Sequence, residues 1–223
     1  MTFSIAARCA KTGRFGIAIS SSSPAVAARC AHVRAGVGVV ASQNVTDPRL
    51  GPAGLDLMAL GASAPAAIEV IVASRPHVAH RQLTAVDAAG RTAAFSGTGA
   101  LGTAATAEGR DCVAAGNLLA DRRVPAAMTA AFEAAEGGLG DRLIAALAAG
   151  LSAGGEAGPV RSAGLVIAGE EAWPIADLRV DWDDDPVARL ARLWEVWQPQ
   201  MEAYVQRALD PTAAPSFGVP GDE

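Results

Sequence analysis

A chain of 223 residues suits a single domain. Its composition, 51% hydrophobic and 18% charged with a mean hydropathy of +0.25, supplies ample core. A net charge of −5 without a basic cluster or aromatic-basic interleaving excludes a nucleic-acid partner. The lack of any run of about 18 apolar residues, and of a basic start before an apolar stretch, excludes a membrane partner and leads us to expect a cytoplasmic protein. Cys9, Cys30 and Cys112 are odd in number and lack Cys-x-x-Cys spacing, so they read as buried thiols rather than as a disulfide framework or a zinc site. Lys11 is the only lysine, which leaves a Schiff base or a Walker-type phosphate site without its cation. No cofactor and no metal are expected.

The chain opens Met1-Thr2-Phe3-Ser4-Ile5, a threonine behind the initiator methionine at the head of a predicted strand, Thr2 to Ala7. Removal of Met1 would expose the α-amine of Thr2. A neutral α-amine, with an unperturbed pKa of roughly 7.7–8.0, can accept the proton of its own residue's hydroxyl near neutrality and so activate it as a nucleophile. Lys11-Thr12-Gly13-Arg14 supplies a turn, and Phe15 to Ile19 returns as the second strand of a hairpin. The run Ser20-Ser21-Ser22-Ser23 ends that strand at the level of Thr2, either as hydroxyls beside the threonine or as a solvated loop and helix cap. A third strand, Val37 to Ser42, exits through Gln43-Asn44 and places two carboxamides at a sheet end.

Two helices, Pro52 to Leu60 and Pro65 to Ala73, carry apolar faces at helical spacing. His77 and His80 lie in the loop beyond them without a third His or Cys ligand nearby, as in a solvated connection. Gln82 to Asp87 and Thr92 to Ser96 read as a β-hairpin in which Asp87 binds turn amides. Gly97-Thr98-Gly99 reads as a loop at the rim of a pocket. A short strand from Cys112 ends in Gly116-Asn117; glycine permits close backbone approach and asparagine offers a donor and an acceptor, as an oxyanion-binding corner requires.

Helices follow at Val124 to Ala135 and Leu139 to Leu151, then a linker at Gly154 to Pro159 read as a surface turn, and strands at Ser162 to Ala168 and Ile175 to Trp182. Asp183-Asp184-Asp185-Pro186 reads as the N-cap of a long helix reaching about Leu209, with a calcium loop as the alternative. Leu190, Leu193, Trp194 and Trp197 share one side of that helix and form an apolar strip, from which a homodimer is expected. One domain is thus expected over residues 1–209, with an extended tail over 210–223.

Several strings together resemble one bacterial family: Thr-Phe-Ser-Ile-x-Ala-Arg at the start, Thr-Gly-x-x-Gly-Ile-Ala-Ile-Ser after it, Arg34-Ala35-Gly36-Val37-Gly38, and Gly51-Pro52-x-Gly54-Leu55. Arg81-Gln82-Leu83, Val86-Asp87-x-x-Gly90-Arg91, Ala115 to Ala120 and Leu178 to Asp181 extend the match. The chain resembles domain of unknown function family 1028, related to the N-terminal nucleophile hydrolases. The resemblance implies an α+β fold, a four-layer αββα sandwich, with Thr2 as nucleophile at a strand start and hydrolysis of a small polar amide through an acyl-enzyme ester. The order of predicted elements also puts helices on both outer faces of the sheets. By proximity, Ser20 is assigned to support the α-amine, and Gln43, Asn44, Gly116 and Asn117 to the pocket or oxyanion hole. Arg34 either fixes a substrate carboxylate bidentately or holds a structural ion pair. If Met1 persists, the same fold would serve as a metabolite-binding or assembly protein.

Overall fold

A computed structural model describes residues 1–220 of the chain. The elements run, in order, β1 (Thr2–Arg8), β2 (Phe15–Ser21), α1 (Ala27–Cys30), β3 (Ala31–Arg34), β4 (Gly38–Asn44), α2 (Leu50–Ala59), α3 (Ala64–Ser74), β5 (Arg81–Asp87), β6 (Thr92–Ser96), β7 (Ala105–Gly109), β8 (Cys112–Asn117), α4 (Val124–Ala134), α5 (Leu139–Ser152), β9 (Ser162–Ala168), β10 (Pro174–Val180), α6 (Pro186–Trp197) and α7 (Met201–Leu209). This is a mixed α+β protein with two antiparallel sheets, one in the order β10-β9-β2-β1-β8-β7 and the other β3-β4-β5-β6. No helix among the described residues is long and apolar enough to cross a membrane.

The period-two alternation of strands sorts the apolar residues into three groups. Phe3, Ile5 and Ala18 on one face of the larger sheet pack with Met128, Phe132, Leu143 and Leu147 of α4 and α5. Val40, Leu83 and Ala85 of the smaller sheet pack with Leu55, Met58, Ile68 and Ile71 of α2 and α3. The alternate residues, Ala6, Ile17 and Val113 of one sheet and Val39, Ala41 and Val86 of the other, form a third cluster. Each large side chain removed from water in this way contributes about 1.5–3 kcal/mol. At one end of that third cluster the apolar residues give way to Ser4, Gln43, Gln82 and Asn117, all buried.

Local chemistry sets the helix ends. Ser63 accepts from Ala66 N at 3.2 Å to start α3, and Asp185 caps α6 by accepting from Ala188 N. Asp184 pairs with Arg161, and among the described residues no three His, Cys, Asp or Glu side chains converge on a metal position. The helix predicted as continuous to Leu209 is interrupted by a 3-10 turn over Gln198–Gln200, where Pro199 cannot donate to the preceding turn. Two short edge strands, β3 and β7, were not anticipated from the sequence.

The tryptophan strip expected to meet a second copy is covered by the chain itself. Leu190 and Trp194 are buried, Trp194 Nε1 donates to Asp141 Oδ1 at 2.7 Å, and Trp197 stacks on Tyr204 while donating to the Ile175 carbonyl. In the expected tail, Phe217 meets Tyr204 of α7 edge-on; the stretch 221–223 lies outside the described residues.

Candidate active site

Thr2 and Asn117 are partners across β1 and β8, and Gln43 and Gln82 are partners across β4 and β5. The alternation turns all four side chains, with Ser4, into the seam between the sheets. One backbone carbonyl orients the whole set. Gly116 O accepts from Gln82 Nε2 at 3.0 Å, so Gln82 must present Oε1 on its other side. That oxygen accepts from Gln43 Nε2 at 2.8 Å and from Asn117 Nδ2 at 3.1 Å, and Gln43 Oε1 in turn accepts from Ser4 at 2.7 Å. Asn117 Oδ1 is left buried without a donor, a state that costs about 1–3 kcal/mol unless something supplies one.

Beside Thr2 lies a second chain of donors. Arg29 Nη2 can only donate, and gives its hydrogen to Ser23 Oγ at 2.6 Å. Ser23 contacts Ser21 through both its hydroxyl, at 2.7 Å, and its backbone N–H, at 3.1 Å. With its lone pairs so engaged, Ser21 directs its proton to the Met1 carbonyl oxygen. Thr2 donates to the same oxygen, and its hydroxyl is 3.4 Å from Ser21 Oγ. The Arg29 charge thus polarises a donor aimed at a carbonyl held against Thr2.

Glu156 closes the site. It is 4% exposed and accepts the Ser22 N–H at 3.0 and 3.2 Å. Burial pushes its carboxyl up to about 7, while the Ser22 hydrogen bonds and the positive charge of the chain's N-terminus pull it down. Among the described residues, three of the five non-glycine positions with positive φ, Ala25, Asn44 and Leu118, lie in the segments framing this end, and such conformations cost of order 1–3 kcal/mol each and cluster at functional sites.

The sequence-assigned residues divide. Thr2, Gln43 and Asn117 come together, and Gly116 contributes its carbonyl. Asn44 points elsewhere: it donates to His80 O at 2.7 Å and accepts from Leu101 N at 3.1 Å, pinning the loop after Gly97 to this end. Ser20 faces the helix side, paired with Phe3 and bonded to Ser162 O at 2.9 Å; the neighbouring Ser21 stands beside Thr2. Arg34 is paired with Gly38, five residues along β4 from Gln43 and so roughly 16 Å away, and forms an exposed ion pair with Asp56 at 2.8 Å. Ser21, Gln82 and Glu156 were missed from the sequence. Strand parity picks out Ser21 and Gln82 only once the registers of β1–β2 and β4–β5 are known, whereas nothing local marks Glu156. Cavities of about 470 Å³ between α3 and β6 and about 510 Å³ around Arg8 and Arg142 lie away from this set.

The fold is thus a mixed α+β one of two antiparallel sheets, with a polar seam at one end and a threonine at the head of a central strand. A family model described as "Family of unknown function (DUF1028)" matches residues 2–190, and the chain belongs to that family. It is similar to the crystal structure of protein SPO2555 from Silicibacter pomeroyi, itself assigned to DUF1028, with 30% identity over 87% of this chain and 88% of that one and a TM-score of 0.82. Anbu (ancestral beta-subunit) from Yersinia bercovieri aligns at 10% identity over 91% of this chain and 97% of that one, with a TM-score of 0.39. No curated protein matches the chain.

Proposed function

We propose that this protein is an N-terminal nucleophile amidohydrolase, a single domain over residues 1–209 built as a four-layer αββα sandwich, which cleaves the C–N bond of a small polar amide after loss of Met1. The observation that carries this reading is the hydroxyl of Thr2, at the head of β1, in contact with a carbonyl oxygen that Ser21 also binds. In the processed chain the Thr2 α-amine takes the proton of Oγ as Oγ attacks the amide carbon. Ser21 Oγ donates to the developing oxyanion, a type of contact worth roughly 10²–10³ in rate. The amine returns the proton to the leaving nitrogen as the C–N bond breaks, giving a threonyl ester and a free amine. Water then attacks the ester, its proton passing through the α-amine to Oγ, and a carboxylic acid leaves. Asn117 Oδ1, lacking a donor and opposite Thr2, is assigned to accept a hydrogen from that α-amine.

Thr2→Ala is expected to fold and to abolish hydrolysis of amides in a panel of acyl-amino acids, ureido acids and lactams, with Thr2→Ser partly active; turnover by Thr2→Ala at the wild-type rate would remove threonine from the mechanism. A second reading rests on one observation: with Met1 in place Thr2 is only 4% exposed and its hydroxyl is engaged, as suits a non-catalytic metabolite-binding or assembly protein. The intact mass of protein purified from its native cell separates the two, since only the hydrolase requires loss of one methionine.

A further inference from the structure

Met1 sits in the site as an aminoacyl group would. Its carbonyl oxygen accepts from Ser21 and Thr2. Its Cε lies 3.9 Å from the position a Cβ would take on Gly158, two residues beyond Glu156, and its α-ammonium supplies the positive charge acting on Glu156. In an acyl-enzyme the acyl carbon is attached to Thr2 Oγ instead of Thr2 N. Those atoms belong to one residue, and Oγ already touches the Met1 carbonyl oxygen, so an acyl group on Oγ falls in the same surroundings.

We propose that, once Met1 is removed, the space it filled is the acyl subsite, and that it selects amides of amino acids with an unblocked α-amine: Glu156 takes the substrate's α-ammonium, Ser21 its carbonyl oxygen, and Gly158 borders a side chain of methionine size or smaller. This rests on the Thr2 nucleophile reading and narrows its substrate. The physical reason is charge. A carboxylate this buried is costly to leave unpaired; Ser22 N–H fixes its direction but brings no charge, and removal of Met1 leaves at this end only the Thr2 α-amine, which has to be neutral to act as the base. An acyl-blocked or purely apolar substrate brings no charge to this carboxyl, whereas an α-ammonium restores the positive charge that Met1 placed near it.

The test uses protein beginning at Thr2 with a matched pair, L-methionine p-nitroanilide and its N-acetyl derivative. The unblocked compound is expected to have the higher kcat/KM by roughly 30-fold or more, the cost of truncating one partner of a buried charge pair, and Glu156→Gln, which keeps an acceptor for Ser22 N–H, should erase most of that preference. L-Methionine should raise the melting temperature of the wild type, N-acetyl-L-methionine should not, and the chain retaining Met1 should respond to neither. Equal or faster cleavage of the acetylated compound overturns the inference and leaves the hydrolase reading standing. Failure to cleave either compound, with no shift from L-methionine, also overturns it; covalent labelling of Thr2 by a β-lactone then reports separately on the nucleophile.

Discussion

Asn117 stands opposite Thr2 and yet commits its Nδ2 to Gln82 Oε1 at 3.1 Å. Because Gly116 O fixes which way Gln82 points, Asn117 cannot exchange the positions of its oxygen and nitrogen without setting two acceptors against each other. Asn117→Asp creates that clash and is expected to destabilise the fold by about 1–3 kcal/mol. Asn117→Ala leaves Gln82 Oε1 with its donor from Gln43, and should fold while lowering kcat. Denaturant melts beside turnover on both variants check this; an aspartate variant as stable as wild type refutes the polarity of the chain.

Ser20 and Ser21 offer the cleanest separation of site from scaffold, being adjacent in sequence and opposite in direction. Ser21→Ala should lower kcat by roughly 10²–10³, as for an oxyanion donor, with little change in melting temperature. Ser20→Ala loses the bond to Ser162 O, so about 0.5–1.5 kcal/mol of stability, and should leave kcat unchanged. Paired kinetics and thermal melts decide, and a reversed pattern returns the role to Ser20.

The same pair shows what the sequence could and could not convey. The β1–β2 hairpin, the four helices of the middle and the ladder positions of Thr2, Gln43 and Asn117 were legible because periodicity and turn residues mark them. Which serine reaches Thr2 was not: it depends on register, and a slip of one residue moves every side chain to the other face. The strands β3 and β7 escaped because Ala31–Arg34 is four residues long and Ala105–Gly109 reads Ala-Thr-Ala-Glu-Gly, neither alternating strongly. Glu156 looked like a solvated residue in a glycine-rich turn. Only the bridge from Glu156 to Leu119 and the Ser22 N–H draw it into the interior. Of the two readings of Arg34 the structure shows the ion pair, with Asp56; sequence distance from Gln43 says nothing about which end of β4 it flanks.

Glu156 also gives a pH signature. Its carboxyl, ordinarily near 4.5, is raised to about 7 by burial, so the folded chain binds its proton more tightly than the unfolded one. Its contribution to stability is therefore complete below about pH 4.5 and is lost as pH rises through about 7. Glu156→Gln removes this dependence, and the stability of the variant relative to the wild type should climb between pH 5 and 7.5. Urea unfolding across that range measures it; parallel curves would mean that the carboxyl titrates normally.

The contact between α5 and α6 yields a prediction whose sign reverses with background. A Cβ on Gly140 would lie 2.2 Å from Cζ2 of the Trp194 ring, a rigid group 6% exposed and tethered through Nε1 to Asp141, so it has little room to yield. Gly140→Ala alone should therefore cost about 1–3 kcal/mol through overpacking, although alanine is the better helix former by up to about 1 kcal/mol. Trp194→Ala should cost about 3–5 kcal/mol by emptying the site of a buried aromatic. In that background the ring atoms nearest the new methyl group are gone, and Gly140→Ala should turn neutral or stabilising, giving a coupling of the size expected for residues in contact. A double-mutant cycle from denaturant melts tests this. Additive effects would show that α6 does not rest on α5, and would return the tryptophan strip to the surface where a second copy could cover it.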